Sequence, residues 1–231
     1  MLKGIVRKNI NTPGMAGFLS SFIYFSYCGG IKQGFEQAYN RQGFDLIHGT
    51  DTQEISILDV IDKDKFEDEE DAERAVDSVS DKVERVRHAL GFLIENGVIP
   101  GETYFIDFGC GKGRSLIIAS KMGFKKLFGI ELSPSILSVC KSNLDKVGVY
   151  ATLIKKSFRK VDYSTLEFEP KPVVIYAYNP TAFEILSESC KILLSTYPGV
   201  PVFCIYTNPQ DRFEFGQLLF NDHKIDIYRL Q

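Results

Sequence analysis

A short glycine-rich run near the middle of the chain carries the residues best suited to chemistry. It reads Asp107, Phe108, Gly109, Cys110, Gly111, Lys112, Gly113, directly after an apolar stretch. Glycines between a strand and a helix allow a tight turn and let the backbone approach a ligand closely. A second acid, Glu131, follows 18 residues after Gly113. In an α/β nucleotide fold, the end of the second strand places the carboxylate that accepts the ribose hydroxyls.

Two classes of cofactor compete for such a turn. Dinucleotide enzymes use G-x-G-x-x-G and hold a pyrophosphate at the helix N-terminus. Here the spacing is G-x-G-x-G and Asp107 precedes the glycines. A carboxylate would repel a pyrophosphate, whereas it suits the ammonium group of a methionine moiety. The pattern therefore favours S-adenosylmethionine over NAD, and a P-loop is excluded because no G-x-x-x-x-G-K-[ST] occurs.

Strands and helices alternate around this turn from residue 103 onward. Helices are predicted for 113–122, 135–146 (with Ser133 as N-cap and Pro134 at the first position), 182–195 and 213–220. Strands are predicted within 103–109, 126–132, 149–155, 172–180, 200–209 and 224–230. Such alternation indicates βαβ units, hence an α/β fold with a mostly parallel sheet covered by helices on both faces.

The first 100 residues read as an N-terminal extension ahead of a catalytic domain at 101–231. Valines and leucines recur at three- and four-residue steps from Val76 to Leu93, which predicts an amphipathic helix that ends near Gly97. Before it, residues 62–73 form an acidic segment, interpreted as a solvated loop, with a partner-binding tail as the alternative.

Composition limits the classes of function. The chain has 231 residues, 44% of them hydrophobic, and a net charge of −3, which excludes a disordered chain or a polytopic membrane protein and does not suggest a general polyanion binder. The five cysteines show no C-x-x-C and the three histidines are widely spaced, so no metal site is predicted. Reduced thiols favour a cytoplasmic location.

Residues 15–31 carry no charge and follow Lys3, Arg7 and Lys8, as a signal peptide or weak membrane span would. The stretch is short and rich in glycine and serine, and it lacks an A-x-A cleavage site. We therefore favour a buried or amphipathic helix, and membrane contact through 15–31 stays open as the alternative.

The run FIDFGCGKGR, followed by KLFGIELSPSILSVCKSNL, resembles the class I S-adenosylmethionine-dependent methyltransferases, and the order of elements over 103–231 agrees. The resemblance implies a Rossmann-like, doubly wound fold. It implies that Asp107 and the turn through Gly113 hold the methionine part and that Glu131 holds the ribose. Beside the adenine it implies Leu132 and Ser133, and Ser157 and Phe158 after the third strand, where the family often has an acid.

The fourth predicted strand ends in Tyr178, Asn179 and Pro180. Amino-directed methyltransferases often carry Asn-Pro-Pro-aromatic or Asp-Pro-Pro-aromatic there, and hold the substrate nitrogen with the side-chain amide and a backbone carbonyl. The resemblance thus implies a catalytic turn, although Thr181 stands where the second proline would be. The alternative is a turn that merely ends the strand.

An upstream segment, Phe44–Thr52, looks like one found before the catalytic domain in a poorly characterised bacterial methyltransferase group. The core also distantly resembles the non-SET histone lysine methyltransferases, in which the upstream segment folds over the cofactor. His48, Asp51 and Thr52 are therefore candidates for a cofactor lid, and capping of a turn is an equally good explanation of Asp51 and Thr52.

The sequence thus predicts methyl transfer from S-adenosylmethionine to a nitrogen of a protein or a small molecule. Two alternatives remain: a non-catalytic cofactor-binding module, and a nucleic-acid amine methyltransferase. The second alternative draws on Asn179 and Pro180 and on a basic cluster, for which a solvated face is the favoured explanation: Lys155, Lys156, Arg159 and Lys160.

Overall fold

The computed structural model describes residues 14–53, 81–166, 168–178 and 182–231. Contacts divide the chain into two units, Met1–Gln53 and Glu54–Gln231. This division lies upstream of residue 100, where the sequence predicts the catalytic domain to begin, so the helix just before that residue belongs to the unit that contains the sheet. The acidic segment 62–73, Val76 and Val79 lie outside the described residues.

The N-terminal unit is helical. Helix α1 (Gly14–Ala38) is interrupted at Gly29 and Gly30, a π-helical turn follows at Tyr39–Gly43, and α2 is Phe44–His48. The helix predicted over 15–31 is present, but five of its large apolar side chains are exposed rather than buried: Met15, Leu19, Ile23, Tyr27 and Ile31. Among the described residues, no helix is both long and apolar enough to cross a membrane.

The second unit is built on one sheet of seven strands within the described residues. The strands are β1 (Tyr104–Phe108), β2 (Lys126–Glu131), β3 (Thr152–Lys155), β4 (Val173–Tyr178), β5 (Val202–Thr207), β6 (Gly216–Asn221) and β7 (Ile225–Leu230). Their order is β3-β2-β1-β4-β5-β7-β6. The first five run parallel, and β7 and β6 are antiparallel to their neighbours. The predicted α/β, Rossmann-like, mostly parallel sheet with an N-terminal helical extension is confirmed.

The strand order reverses direction between β1 and β4. The chain passes from β1 outward to β2 and β3, and then returns to β4 on the other side of β1. In open parallel sheets, ligands bind at such a switch point, beyond the carboxyl ends of the strands. Asp107 stands at that end of the central strand, with all of β1 buried around it.

The predicted helices other than the one at 213–220 are present. They are α3 (Val83–Glu95), α4 (Arg114–Lys121), α5 (Pro134–Val147) and α6 (Phe183–Thr196), with short 3-10 turns at Pro100–Glu102, Phe158–Lys160 and Tyr163–Leu166. The apolar stripe of α3 is fully buried at Val83, Val86 and Leu90. Helix α5 begins as predicted, because the Ser133 hydroxyl accepts the Ile136 N–H at 3.1 Å.

The helix predicted for 213–220 is wrong. Residues Gly216–Asn221 form β6, which pairs with β7 in an antiparallel hairpin. The Asp222 carboxylate accepts the N–H groups of Lys224 and Ile225 at 2.5 and 2.7 Å and so fixes the turn. The apolar residues of this stretch suit either a helix or a strand, and pairing with β7 selects the strand. The spacing of the apolar residues is irregular for a strand, and a register shift between Leu218 and Phe220 accommodates it.

Glycine is required in β2 at the point closest to the glycine-rich turn. Gly129 pairs with Asp107 of β1, and a Cβ atom there would lie 2.8 Å from both the Cys110 sulfur and the Leu116 Cδ1. We expect Gly129→Ala to lower the free energy of unfolding by about 1–3 kcal/mol, because the packed core cannot accept the extra methyl without shifting.

Gly91 on α3 is the matched control. A Cβ atom there meets nothing within 4 Å, so Gly91→Ala should raise the free energy of unfolding by about 0.5–1 kcal/mol through helix propensity alone. Urea denaturation of both variants measures the difference. Equal stabilities of the two variants would contradict this description of the packing under the turn.

Candidate active site

A pocket opens at the carboxyl edge of β1 and β4, at the switch point of the sheet. The described residues that line it come from α3 and the segment before it, the ends of β1 and β4, the glycine-rich turn and the start of α4: Asp81, Val86, Asp107, Gly109, Cys110, Gly111, Arg114, Ser115, Tyr176 and Tyr178. The structure therefore brings the predicted residues Asp107, Gly109 and Tyr178 together at one site.

The glycine-rich turn adopts a conformation that only glycine takes readily. Gly109, Gly111 and Gly113 have φ angles of 83°, 51° and 88°. The N–H groups of Gly109 and Cys110 both donate to the Ile130 carbonyl at 2.9 Å, which folds the turn back onto the end of β2. A Cβ atom on Gly113 would also meet the Cys140 sulfur at 2.7 Å.

A residue that the sequence analysis missed anchors the turn from below. Asn143 on α5 is fully buried, and its side-chain amide donates to the Lys112 carbonyl at 3.0 Å. An asparagine among the apolar positions of a buried helix face is the signal that sequence reasoning had available. Lys112 is itself buried, and Cys110 packs beneath the turn beside Cys140, where contact with that thiol and burial raise the pKa of Cys110.

Asp107 is a buried carboxyl group whose charge is poorly stabilised. It is 2% exposed, and the Ser115 hydroxyl donates a hydrogen bond to its Oδ2. Burial raises the pKa of Asp107 to about 7; the Ser115 hydrogen bond opposes this shift, and the negative charges of Glu131 and Asp81 add to it. Such a carboxyl group favours a cationic ligand, which would supply the missing positive charge.

Glu131 connects the two ligand-facing turns. Its Oε2 accepts the Gly111 N–H at 3.0 Å, and its Oε1 accepts the Ser133 N–H at 2.9 Å. The carboxylate thus stands between the glycine-rich turn and the start of α5, where the resemblance places a ribose. Leu132 is half-buried beside it, and the buried Ser133 uses its hydroxyl to cap α5.

Asp81, a second pocket residue that the sequence did not indicate, lines the pocket together with the glycine-rich turn. Its carboxylate forms an ion pair with Arg85 at 2.7 Å and accepts the Tyr176 hydroxyl at 2.6 Å, while its carbonyl accepts a hydrogen bond from Arg114 at 3.3 Å. Burial raises the pKa of Asp81, and Tyr176 and Arg85 oppose that shift. These contacts tie the start of α3 to β4 and α4, so the segment before the sheet forms part of the pocket.

The predicted adenine contacts lie after β3. Ser157 is half-buried and precedes the 3-10 turn Phe158–Lys160. The Phe158 ring stacks on Phe108 in the core, with centroids 5.0 Å apart and 9° between the planes. Its role against adenine stays a prediction. Lys155 and Lys156 are exposed, and Arg159 is ion-paired with Glu188 at 3.2 Å.

The predicted catalytic turn and the predicted cofactor lid do not contribute lining residues to this pocket within the described part of the chain, apart from Tyr178, and both stay predictions. Asn179 and Pro180 lie outside the described residues, as does Thr181. Asp51, Thr52 and His48 belong to the N-terminal unit. There the Asp45 Oδ1 accepts the Thr52 N–H and hydroxyl at 2.9 and 2.7 Å, which favours a turn-stabilising role for Thr52.

Comparison with known proteins relates most of this pocket to a known protein family. Residues 106–179, from β1 to the end of β4, match the family model of a methyltransferase domain. Over these residues, about a third of the chain, the protein is similar to a methyltransferase domain. The match confirms the predicted resemblance to the S-adenosylmethionine-dependent methyltransferases and, with it, the predicted cofactor.

Two curated relatives match parts of this chain. A ribosomal protein L11 methyltransferase of Vibrio parahaemolyticus is 41% identical over 56 residues, which cover 24% of this chain and 19% of that protein. A protein-lysine N-methyltransferase of Saccharolobus islandicus is 32% identical over 75 residues, 31% of this chain and 47% of that protein. The chain thus spans about a fifth of the first relative's length and about half of the second's.

Solved structures agree on the fold. A hypothetical protein from Thermus thermophilus superposes with a TM-score of 0.50 at 15% identity, over 65% of this chain and 86% of that one. At this level of identity the likeness concerns the arrangement of helices and strands.

The raised pKa of Asp107 predicts that the stability of the protein without cofactor depends on pH. The folded state holds the Asp107 proton up to about pH 7, whereas the unfolded chain releases it near pH 4. The folded state therefore binds more protons in this window, and the free energy of unfolding falls as the pH rises from about 4 to 7. The contribution of Asp107 is on the order of 4 kcal/mol, at roughly 1.4 kcal/mol per pKa unit.

Urea denaturation of the wild type and Asp107→Asn across this range measures the contribution. Asparagine cannot ionise, so the variant should lack this part of the pH dependence and lose less stability between pH 4 and 7. Parallel curves for the two proteins would show that the Asp107 carboxyl is ordinary and solvated.

Proposed function

We propose that the protein transfers the methyl group of S-adenosylmethionine to a nitrogen of a protein or a small molecule, in the cytoplasm. The observation that carries the proposal is the meeting of a buried acid, Asp107, with a glycine-rich turn and Glu131 in the segment that matches the methyltransferase family. The names of the two curated relatives both specify a protein as methyl acceptor, which supports a protein in that role here.

The residues of the pocket fit the parts of the cofactor. Asp107 accepts the ammonium group of the methionine moiety, and the turn from Phe108 to Gly113 approaches it with its backbone. Glu131, which is held by the N–H groups of Gly111 and Ser133, accepts the ribose hydroxyls. Leu132, Ser133, Ser157 and Phe158 surround the adenine. When bound, the cofactor supplies a methyl group activated by its positive sulfur.

On the acceptor side, the protein aligns a nitrogen with the methyl group and removes its water. Near-attack geometry requires about 3–3.5 Å between the reacting atoms. Tyr178 lines the pocket at the end of β4 and shields this position, and the adjoining Asn179 and Pro180 orient the lone pair of a neutral amine through the Asn179 amide and a backbone carbonyl. His48, Asp51 and Thr52 remain candidates for a lid over the cofactor.

Incubation with S-adenosylmethionine labelled in its methyl group tests the proposal. Acceptor pools of protein, small-molecule extract and RNA are assayed separately for label and for S-adenosylhomocysteine. Label in a protein or an amine, stable to nuclease, supports the proposal. Label that only nuclease releases supports the nucleic-acid alternative, and binding of the cofactor without label in any pool supports a non-catalytic module.

Glu131 provides a test of cofactor binding. Loss of two charge-assisted hydrogen bonds, each worth roughly 1.5–3 kcal/mol, should weaken S-adenosylhomocysteine binding about tenfold or more in Glu131→Ala. Calorimetry measures the affinity. Glu95→Ala, at an exposed position on α3, is the control and should bind like the wild type. Unchanged affinity in Glu131→Ala would remove the ribose assignment.

Asn179 tests the mechanism rather than binding. If its side chain orients the acceptor, Asn179→Ala should lower turnover on the order of 10²-fold. Affinity for the cofactor should change by less than about threefold, because the methionine and ribose contacts lie on β1 and β2. A collapse of cofactor affinity would make Asn179 a structural residue, and unchanged turnover would make the turn a simple strand terminator.

A further inference from the structure

Large apolar side chains of α1 are exposed at a regular interval. The apolar row of α1 consists of four residues that lie one helical turn apart: Met15, Leu19, Ile23 and Tyr27. Their exposed fractions run from 48% at Ile23 to 73% at Tyr27. Single exposed apolar side chains are ordinary, whereas a row of adjoining ones marks an interaction surface.

The buried positions of α1 carry small residues instead: Gly17, Ser21, Gly34 and Ala38. The parts of α1 on either side of its interruption contact each other, because the Phe22 and Phe35 ring centroids are 4.7 Å apart. A Cβ atom on Gly34 would lie 2.8 Å from the Phe22 carbonyl oxygen. Helices packed for water bury their large apolar side chains, whereas helices packed in lipid contact one another through small residues. The arrangement of α1 is of the second kind.

The charge of the sequence around this row favours a negatively charged partner. Residues 1–35 contain four basic residues and no acid: Lys3, Arg7, Lys8 and Lys32. A second copy of the chain would add four more positive charges to the same segment, and their repulsion would oppose association. A bilayer with anionic headgroups offers apolar contact to the row and attraction to the basic residues.

We propose that the apolar row of α1 binds the surface of a lipid bilayer with anionic headgroups, and that the helix lies in the interface without crossing the bilayer. Tyr27, the most exposed member of the row, has an apolar ring and a polar hydroxyl, and such side chains prefer the boundary between hydrocarbon and water. The proposal concerns the N-terminal unit and does not depend on the proposed function.

Co-sedimentation of the whole chain with lipid vesicles tests this proposal. Mixed vesicles of phosphatidylcholine and phosphatidylserine should bind the wild type. Vesicles of phosphatidylcholine alone should bind it about tenfold or more weakly, because each basic residue near an anionic surface adds to the attraction. Added salt should weaken binding to the mixed vesicles, since it screens that attraction.

The double variant Leu19→Gln/Ile23→Gln removes two members of the row. Its affinity for the mixed vesicles should fall about 10- to 100-fold, because two large apolar side chains no longer leave water on binding. Partial unfolding would expose more apolar surface and strengthen binding, so it cannot imitate this loss. The matched control is Ile99→Gln/Tyr150→Gln, at positions outside α1 that are 64% and 90% exposed, and it should bind like the wild type.

Equal affinity of the wild type and Leu19→Gln/Ile23→Gln for the mixed vesicles would overturn the proposal, as would failure of the wild type to bind them. Analytical ultracentrifugation without vesicles tests the other occupant. A wild-type dimer that becomes a monomer in Leu19→Gln/Ile23→Gln would assign the row to a second copy and would also overturn the proposal. A wild-type monomer that binds the mixed vesicles and loses this binding in the double variant supports it.

Discussion

A buried carboxyl group at the end of the central strand is the constraint on which the pocket depends. Asp107 sits where β1, β2 and β4 lie side by side, so it has almost no access to water. One hydrogen bond from Ser115 does not offset the cost of burial, and the acids Glu131 and Asp81 increase it. The protein therefore holds an acid that is only partly ionised near pH 7, and a cation beside it, such as the proposed methionine ammonium, would stabilise its charged form.

The surrounding contacts keep that acid open to a ligand. Three glycines with positive φ allow the turn to curve past Asp107 without side chains in the way. Asn143 fixes the turn from α5, and Glu131 fixes it from β2. On the other side, the Asp81 contacts to Arg85, Tyr176 and Arg114 connect α3 to the same pocket. A chain segment that precedes the sheet thus forms part of the pocket lining.

Most of the fold and about half of the pocket residues could be predicted from the sequence. The strand–turn–helix around Gly109–Gly113, the Ser133 cap and the stripe of α3 are local patterns, and each is confirmed. The helix predicted at 213–220 is wrong because pairing with β7, a contact between separate segments, overrides the local pattern. Asp81 and Asn143 were missed because their hydrogen-bond partners are distant in sequence. Tyr176 lies 95 residues from Asp81, and Lys112 lies 31 residues from Asn143, so no short sequence motif indicates either contact.

Calorimetry of S-adenosylhomocysteine binding, near pH 7 and in two buffers of different ionisation enthalpy, tests the central claim most directly. An ammonium beside Asp107 lowers the pKa of the carboxyl from about 7, so binding to the wild type should release up to about half a proton, and binding to Asp107→Asn should release none from this position. NAD at comparable concentration should give no heat of binding. Equal proton release by the two proteins, or tight NAD binding without a response to S-adenosylhomocysteine, would contradict the account.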